Sequence, residues 1–407
     1  MSSRLPKLAL RNVGRNRRRS LITGVTIVFG VAMVLVVRGF TGGMAAMMTD
    51  DVVQGRSGAI QIHRAGYVDS ADSVPTKLNL PYTDELRAKI AAVPHVKAVT
   101  GRITFNGLVS NGTQQTMFVG RGMDLAHEQE ACPKARTLVA KGAPLEPTDG
   151  TAVTLLGFEL AESFKVDPGA MVTLQSSSPT GRSNALDLKV KGLTTSSFPF
   201  ENKRVVTLPL GTAQQLVGLD GRVTEYVLGV DDLQFLDQTA EALRTTLGPE
   251  YEVHTWRELQ PFVRDLIARS NFVLGAIAFV LFIIVLTGII NTMLMSVFER
   301  VREIGTLLAV GVRRAQVMQM FLIEAGVIGI AGGLAGALVG RIVLFIFNTR
   351  GIPIQLSGLS GSNVLRPFAT NGFTLAAIVV AVLGALFAAL WPAFRASRLN
   401  PVEALRS

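Results

Sequence analysis

The sequence predicts an α-helical membrane protein: four transmembrane helices, one before and three after a large α/β domain lying outside the bilayer. Three observations predict it. The 407 residues are 48% hydrophobic and only 17% charged, against about 25% charge in soluble domains. Four stretches are long and apolar enough to cross about 30 Å of hydrocarbon. The charge is also unevenly divided. Residues 41–270 carry 22 Lys+Arg and 26 Asp+Glu, a net of −4, and the other 177 residues carry 18 and 4, a net of +14. The basic excess sits at the ends of the apolar stretches, where it sets orientation. A nucleic-acid footprint would instead form a patch on a folded domain, so nucleic acid is not an expected partner.

Residues 1–19 hold seven basic and no acidic residues. Leu5, Leu8 and Ala9 fall near one helical face and Arg11, Arg15 and Arg18 on another. This fits an amphipathic helix lying in the interface against membrane lipid; a plain topogenic charge cluster explains the same residues. Ser20–Val37 is uncharged over 18 residues and opens the first span, 20–40. It is longer than a signal-peptide core and runs on through Arg38 without a small-x-small cleavage site, so it reads as a retained anchor.

After this span, Phe40, Met44, Met47 and Met48 recur at helical spacing in 41–56. Before the second span, Phe262, Val263, Leu266 and Ile267 do the same in 257–270. Two such stripes can pack face to face as a stalk, or belong to ordinary juxtamembrane helices on the domain base. The domain between, 57–256, reads as mixed α/β. Gly101–Gly120 is a hairpin with Asn111-Gly112 as a tight turn. Asp84–Ala92 and Leu233–Leu247 are helices. Ala170–Gln175, Ala185–Lys191, Arg204–Leu208 and Tyr251–Thr255 are strands. Ser176–Asn184 and Thr194–Asn202 have the composition of exposed loops.

The second span covers 271–298, uncharged throughout. The segment 299–314 has a stripe of Val301, Ile304, Leu307 and Leu308, with Glu299, Arg302, Glu303 and Thr306 off it, Gly311 as the stop and Arg313 and Arg314 beyond. A short stiff helix between two spans can receive force from a docked partner. The third span, 315–345, contains Gly329, Gly333, Gly336 and Gly340, with Gly332 between them. Small residues four apart let helix backbones approach closely, within the chain or between subunits. Glu324 lies in the same span, about 15 Å in at 1.5 Å per residue. An intramembrane acid is a functional candidate, and hydrogen bonding across helices or snorkelling is its structural alternative. A loop at 346–371, the fourth span at 372–394 and a basic tail at 395–407 follow. The Lys/Arg distribution puts both termini and 299–314 in the cytoplasm.

Catalytic signatures are missing from the 407 residues. No phosphate-binding Gly-x-x-x-x-Gly-Lys-Ser/Thr occurs, nor a Gly-x-Ser-x-Gly elbow or a His-Glu-x-x-His helix. His127-Glu128 reads as an incidental pair in a loop, and no metal site is expected. Asn111-Gly112-Thr113 matches a glycosylation acceptor, though a turn explains it equally. Cys132 is the single cysteine and reads as a lone thiol in a polar loop. An intramembrane enzyme built on Glu324 is the weakest reading.

The chain resembles permease subunits of the FtsX/MacB/LolC–LolE group of ABC transporters. Ala9-Leu10-Arg11-Asn12-Val13, Val301-Arg302-Glu303-Ile304-Gly305-Thr306-Leu307-Leu308, Pro392-Ala393 and Pro401-Val402-Glu403-Ala404-Leu405-Arg406 are similar to the group's motifs. Leu160-Ala161 and Pro168–Leu174 more weakly resemble its small β-domain. The resemblance implies a bacterial inner-membrane permease that transmits ATPase motion to a periplasmic domain. It would work with an ABC ATPase subunit and a second permease copy or paralogue, and with a periplasmic chaperone, adaptor or lipoprotein. ATP and Mg²⁺ would bind the ATPase, leaving this chain without a cofactor or catalytic residues. Glu299, Arg302, Glu303, Gly305, Thr306, Leu308 and Gly311 would form the coupling segment, with Glu303, Gly305 and Leu308 in the contact itself. Among group members, the layout favours lipoprotein release; a MacB-like efflux permease and a non-transporting mechanotransducer are the alternatives.

Overall fold

The computed structural model describes residues 17–73, 76–196, 199–353 and 364–398, with backbone alone at 17–19, 71–73, 136–137 and 199. Residues 1–16 of the basic start, 354–363 of the loop and the tail motif 401–406 lie outside the described residues. The described chain divides into a helical unit (17–45, 266–352 and 364–398) and an α/β unit (46–265).

Among the described residues, four helices are long and apolar enough to cross a membrane. They are Arg17–Val52, Pro261–Glu299, Arg314–Arg350 and Asn371–Ser397, called here the first to fourth apolar helices. Long, mostly apolar sequence, in which every backbone hydrogen bond must be made within the helix, explains their length. The first helix has no break at 40/41 and ends in a π turn at Val53–Ser57. Pro392 is accommodated inside the fourth. Thr370 caps the fourth helix, its Oγ1 accepting from Phe373 N at 3.3 Å. The helical core joins Ile27, Val31 and Leu35 to Ile289, Met293, Ala325, Ile328, Ala337, Ala385 and Ala388.

In the α/β unit, the first seven strands are β1 (Ile60–Arg64), β2 (Leu80–Pro81), β3 (Val96–Ser110), β4 (Gln115–Met123), β5 (Val139–Gly142), β6 (Val153–Gly157) and β7 (Met171–Ser177). The rest are β8 (Ser183–Thr194), β9 (Val205–Pro209), β10 (Arg222–Val223), β11 (Glu225–Val230) and β12 (Tyr251–Thr255). Ten form one sheet in the order β12-β1-β11-β3-β4-β9-β6-β8-β5, with β7 joining β3 and β8; β2 and β10 pair separately. Only β4 with β9 and β6 with β8 run parallel in the large sheet. Two further strands, β13 (Ile352–Pro353) and β14 (Val364–Leu365), pair in the connection before the fourth helix.

β3 organises the sheet. Its first half pairs with β11 and its last four residues with β7, while β4 lines its other edge from Arg102 to Ser110. Phe105 and Phe118 meet edge-on at 5.8 Å in the core. The helix Leu236–Leu247 buries Leu236, Ala240, Leu243 and Leu247 on one face, the stripe expected of an amphipathic helix.

Several local expectations need correction. The β3–β4 loop has four residues, since Ser110 pairs with Gln115. Only Gly112 takes a positive φ, 90°. Asn111 acts through its side chain, whose Oδ1 accepts from Thr113 N at 3.0 Å and Gln114 N at 2.8 Å. Ser176 and Ser177 extend β7 instead of forming a loop. Thr195, Ser196 and Asn202 are buried, because Asn202 bridges the backbone N and O of Ser196 at 2.7 and 3.0 Å. Arg204 ends the helix Pro199–Arg204 and does not open β9.

Candidate functional site

The segment between the second and third apolar helices is an α-helix, Val301–Ala309. Its end is a complete Schellman motif. Gly311, at φ 94°, donates to Leu308 O at 3.1 Å, and Val312 N donates to Leu307 O at 3.0 Å. Gly311 therefore stands just past the helix, where a positive φ favours glycine. Ile304 packs with Val297, Val317, Met320, Phe321, Ala393 and Ala396, so the short helix is fastened to the ends of three apolar helices.

The fastening decides what the helix can offer a partner. Gly305 is buried beside Ile304. Arg302, Glu303, Thr306, Leu307 and Ala309 are exposed, and Leu308 is half-buried. The expected apolar stripe is split, because Ile304 faces inward while Leu307 is 38% and Val310 86% exposed. Glu299 is exposed at the end of the second apolar helix.

Glu324 is fully buried and pairs with Arg300, Nη1 to Oε2 at 3.4 Å. Arg300 is itself buried. It is the single non-helical residue between the second apolar helix and the short helix. Arg341, on the same helix as Glu324, instead binds Asn371 Oδ1 at 2.7 Å.

The glycines of the third apolar helix form two seams within the chain. A Cβ on Gly329 would meet Ala385 at 3.0 Å and one on Gly333 would meet Ile378 at 3.4 Å, both on the fourth helix. A Cβ on Gly332, Gly336 or Gly340 would meet the first helix, at Ile27 (2.9 Å), Val28 O (2.8 Å) and Leu35 (3.0 Å) respectively. A cavity of about 120 Å³ opens between three other faces. Gly30, Val31 and Val34 of the first helix, Leu281, Phe282 and Val285 of the second, and Ala377, Val380 and Ala381 of the fourth line it.

The two expected stalk stripes differ in cover. Phe40 packs edge-on against Phe347 at 5.6 Å, and Met44, Met47 and Met48 are half-buried. In the second stripe Val263 is buried and Ile267 half-buried, whereas Phe262 and Leu266 are exposed.

The α/β unit holds a buried ionic network that the sequence did not reveal. His127 and Glu128 lie on the helix Leu125–Ala131, not in a loop. Arg102 of β3 is buried and binds both carboxylate oxygens of Glu128. It also donates to Arg56 O and to Cys132 Sγ. Cys132 is thus buried and partnered, and burial pushes its thiol up to about 12. Arg56, in the π turn, pairs with Asp51 at 3.1 Å and Glu201 at 3.2 Å. Burial works against the Glu201 carboxylate, but Arg121 and Arg56 outweigh it and hold its pKa below the ordinary value. Glu225 behaves the same way. His63, 3.3 Å away, and Arg102 offset its burial and lower its pKa. Apart from Arg56–Asp51, these partners come from distant parts of the chain, so local spacing does not announce them.

Four apolar helices, an α/β domain between the first and second, and a fastened amphipathic helix between the second and third define a membrane permease. Residues 20–246 match the MacB-like periplasmic core domain, and residues 275–401 match the FtsX-like permease C-terminal family. The chain belongs to this family of ABC transporter permeases, and its α/β unit is the periplasmic core domain. The macrolide export ATP-binding/permease protein MacB of Nitrobacter winogradskyi is 33% identical over 66% of this chain and 41% of its own length. That of Sodalis glossinidius is 28% identical over 98% of this chain and 60% of its own. The chain therefore spans less than two thirds of the length of these relatives. Among solved structures, the periplasmic region of MacB from Actinobacillus actinomycetemcomitans is 13% identical with a TM-score of 0.36, covering 51% of this chain and 92% of that one. The extracellular domain of the transporter YknZ from Gram-positive bacteria is 14% identical with a TM-score of 0.35, covering 48% and 100%.

Proposed function

We propose that this chain is the permease subunit of an ATP-driven ABC complex in the bacterial inner membrane. Both termini and the helix Val301–Ala309 face the cytoplasm. An ABC ATPase binds ATP and Mg²⁺, docks on that helix and moves it. The permease, paired with a second copy or a paralogue, passes the movement to the periplasmic domain. The domain then drives export of an amphiphilic cargo, with a periplasmic adaptor receiving it.

The observation that carries this reading is the short helix itself. Its inner side is packed on three apolar helices through Ile304, and its outer side presents Arg302, Glu303, Thr306, Leu307 and Val310. A rigid, partly apolar surface of this kind suits a protein partner better than solvent. The orientation draws support from Arg395, stacked near Phe298 and Trp391 at 5.8 Å, and Arg398 over Phe394 at 4.4 Å; such pairs anchor helix ends at an interface. The relatives' names favour a macrolide-like small molecule over a lipoprotein as cargo, and the apolar cavity between the first, second and fourth helices suits the apolar part of either.

Purification from the native cell in mild detergent, followed by mass spectrometry, tests the reading. A stoichiometric P-loop ATPase is expected. In Leu307→Asp or Val310→Asp its retention drops, since losing an interface anchor costs about 2 kcal/mol, some thirtyfold in affinity. A co-purified lipoprotein would shift the cargo class, and a periplasmic hydrolase without cargo would favour force transmission alone. Recovery of this chain by itself, under conditions that preserve other ABC complexes, would overturn the proposal.

A further inference from the structure

The corner between the second apolar helix and the short helix is one residue wide. The second helix ends at Glu299, the short helix begins at Val301, and Arg300 lies between them at φ −112°. A single residue outside helical geometry is a natural place for the chain to bend. Its side chain, however, turns inward and meets Glu324 of the third helix at 3.4 Å. Both groups are buried, at 4% and 0% side-chain exposure. Around them Ile304, Val317, Met320, Phe321 and Ala325 are also buried. Opposite charges in such surroundings attract each other strongly, because little water is there to screen them.

We infer that Arg300–Glu324 is a latch that locks the short helix to the third apolar helix, so that a push on the first moves the second instead of bending the corner. Arg300 and Glu324 are positioning residues, and neither contacts nucleotide or cargo. The transmission role rests on the proposed coupling function; the latch itself does not. Two features single out this pair. The cation is the hinge residue itself, which couples the backbone geometry of the corner to the ion pair. The acid lies ten residues into a helix whose next turns, from Gly329 to Gly340, are in close contact with the first and fourth helices. Movement at Glu324 therefore enters a part of the unit with little room to absorb it.

Hydrogen exchange on the whole ATPase–permease complex in lipid nanodiscs, with and without ATP plus vanadate, tests this. Glu324→Gln is expected to raise amide exchange across 301–312 by between about twofold and thirtyfold, the range of coupling changes such residues make. It should also erase the nucleotide-dependent change in exchange within 46–265. The exchanged pair Arg300→Glu with Glu324→Arg should restore both, which a merely space-filling role would not. Where Glu324→Gln does not assemble, Glu324→Asp keeps the charge on a shorter arm and should give an intermediate response. Native exchange at 301–312 in these single variants, or no recovery in the exchanged pair, would overturn the latch. If native complex shows no nucleotide response in 46–265, the coupling function fails and the transmission role with it; the exchange at 301–312 still reports on the latch.

Discussion

The third apolar helix and the α/β unit hold their neighbours in opposite ways. The helix uses absence: a Cβ at Gly332 or Gly336 would overlap the first helix, and one at Gly340 would crowd it. The α/β unit uses charge, with Arg102, Glu128, Arg56 and Glu225 buried and paired with Glu201, His63 or one another. The surroundings explain the difference. Among lipid tails an apolar side chain gains nothing by meeting another helix, so close backbone approach and dispersion must serve. In a water-soluble domain the sheet already gains from hydrophobic burial, and buried charges tie particular segments together where each finds several partners.

The most severe way to break this comparison is Arg102→Ala. It removes the cation facing Glu128, leaves a buried carboxylate and frees Arg56 O. Breaking one side of a buried pair costs about 3–5 kcal/mol, so the periplasmic domain should lose its cooperative unfolding transition or melt far earlier. The double variant Arg102→Met with Glu128→Leu should recover most of that loss. A single variant as stable as native, by thermal unfolding in detergent, would mean the network is incidental.

Acid should attack the same region next. Glu201 and Glu225 have folded pKa values below the ordinary 4.5. The unfolded chain thus takes up their protons first as pH falls. Their contribution is complete above about 4.5, the unfolded glutamate value, and disappears as pH drops through the lowered folded values. Urea unfolding should therefore show the α/β unit weakening below pH 4.5, with the slope reduced in Glu201→Gln. The glycine seams contain no titrating group, so contacts between the apolar helices should not follow that curve.

The same contrast governs what could be read from the sequence. The four apolar helices, the glycine spacing and the strand Tyr251–Thr255 depend on neighbours within a few residues, and composition or period reveals them. The ion pairs depend on residues 24 apart for Arg300–Glu324, 26 for Arg102–Glu128 and 162 for His63–Glu225. Only the folded sheet and bundle bring those together. Cys132 illustrates this: it lies outside the helix Leu125–Ala131, as its polar neighbours suggest, but its burial against Arg102 depends on a residue 30 positions away. The burial of Gly305 was equally illegible, because it depends on how Ile304 packs against the apolar helices.

The smallest effect sharpens the comparison most, because it tests spacing without changing chemistry. Gly336→Ala adds one carbon where Val28 O stands 2.8 Å and Val31 Cβ 2.8 Å away. The neighbours are backbone and a β-branched core residue, neither of which can swing aside. Overpacking of this kind costs about 1–3 kcal/mol, so the melting midpoint of the detergent-solubilised chain should fall. Gly24→Ala is the matched control on the first helix. A Cβ there meets nothing within 4 Å, and alanine favours a helix over glycine by up to about 1 kcal/mol. Its midpoint should stay level or rise. Equal losses in both variants would show that glycine serves helix flexibility generally, and the seam would then not be the feature that brings the first and third helices together.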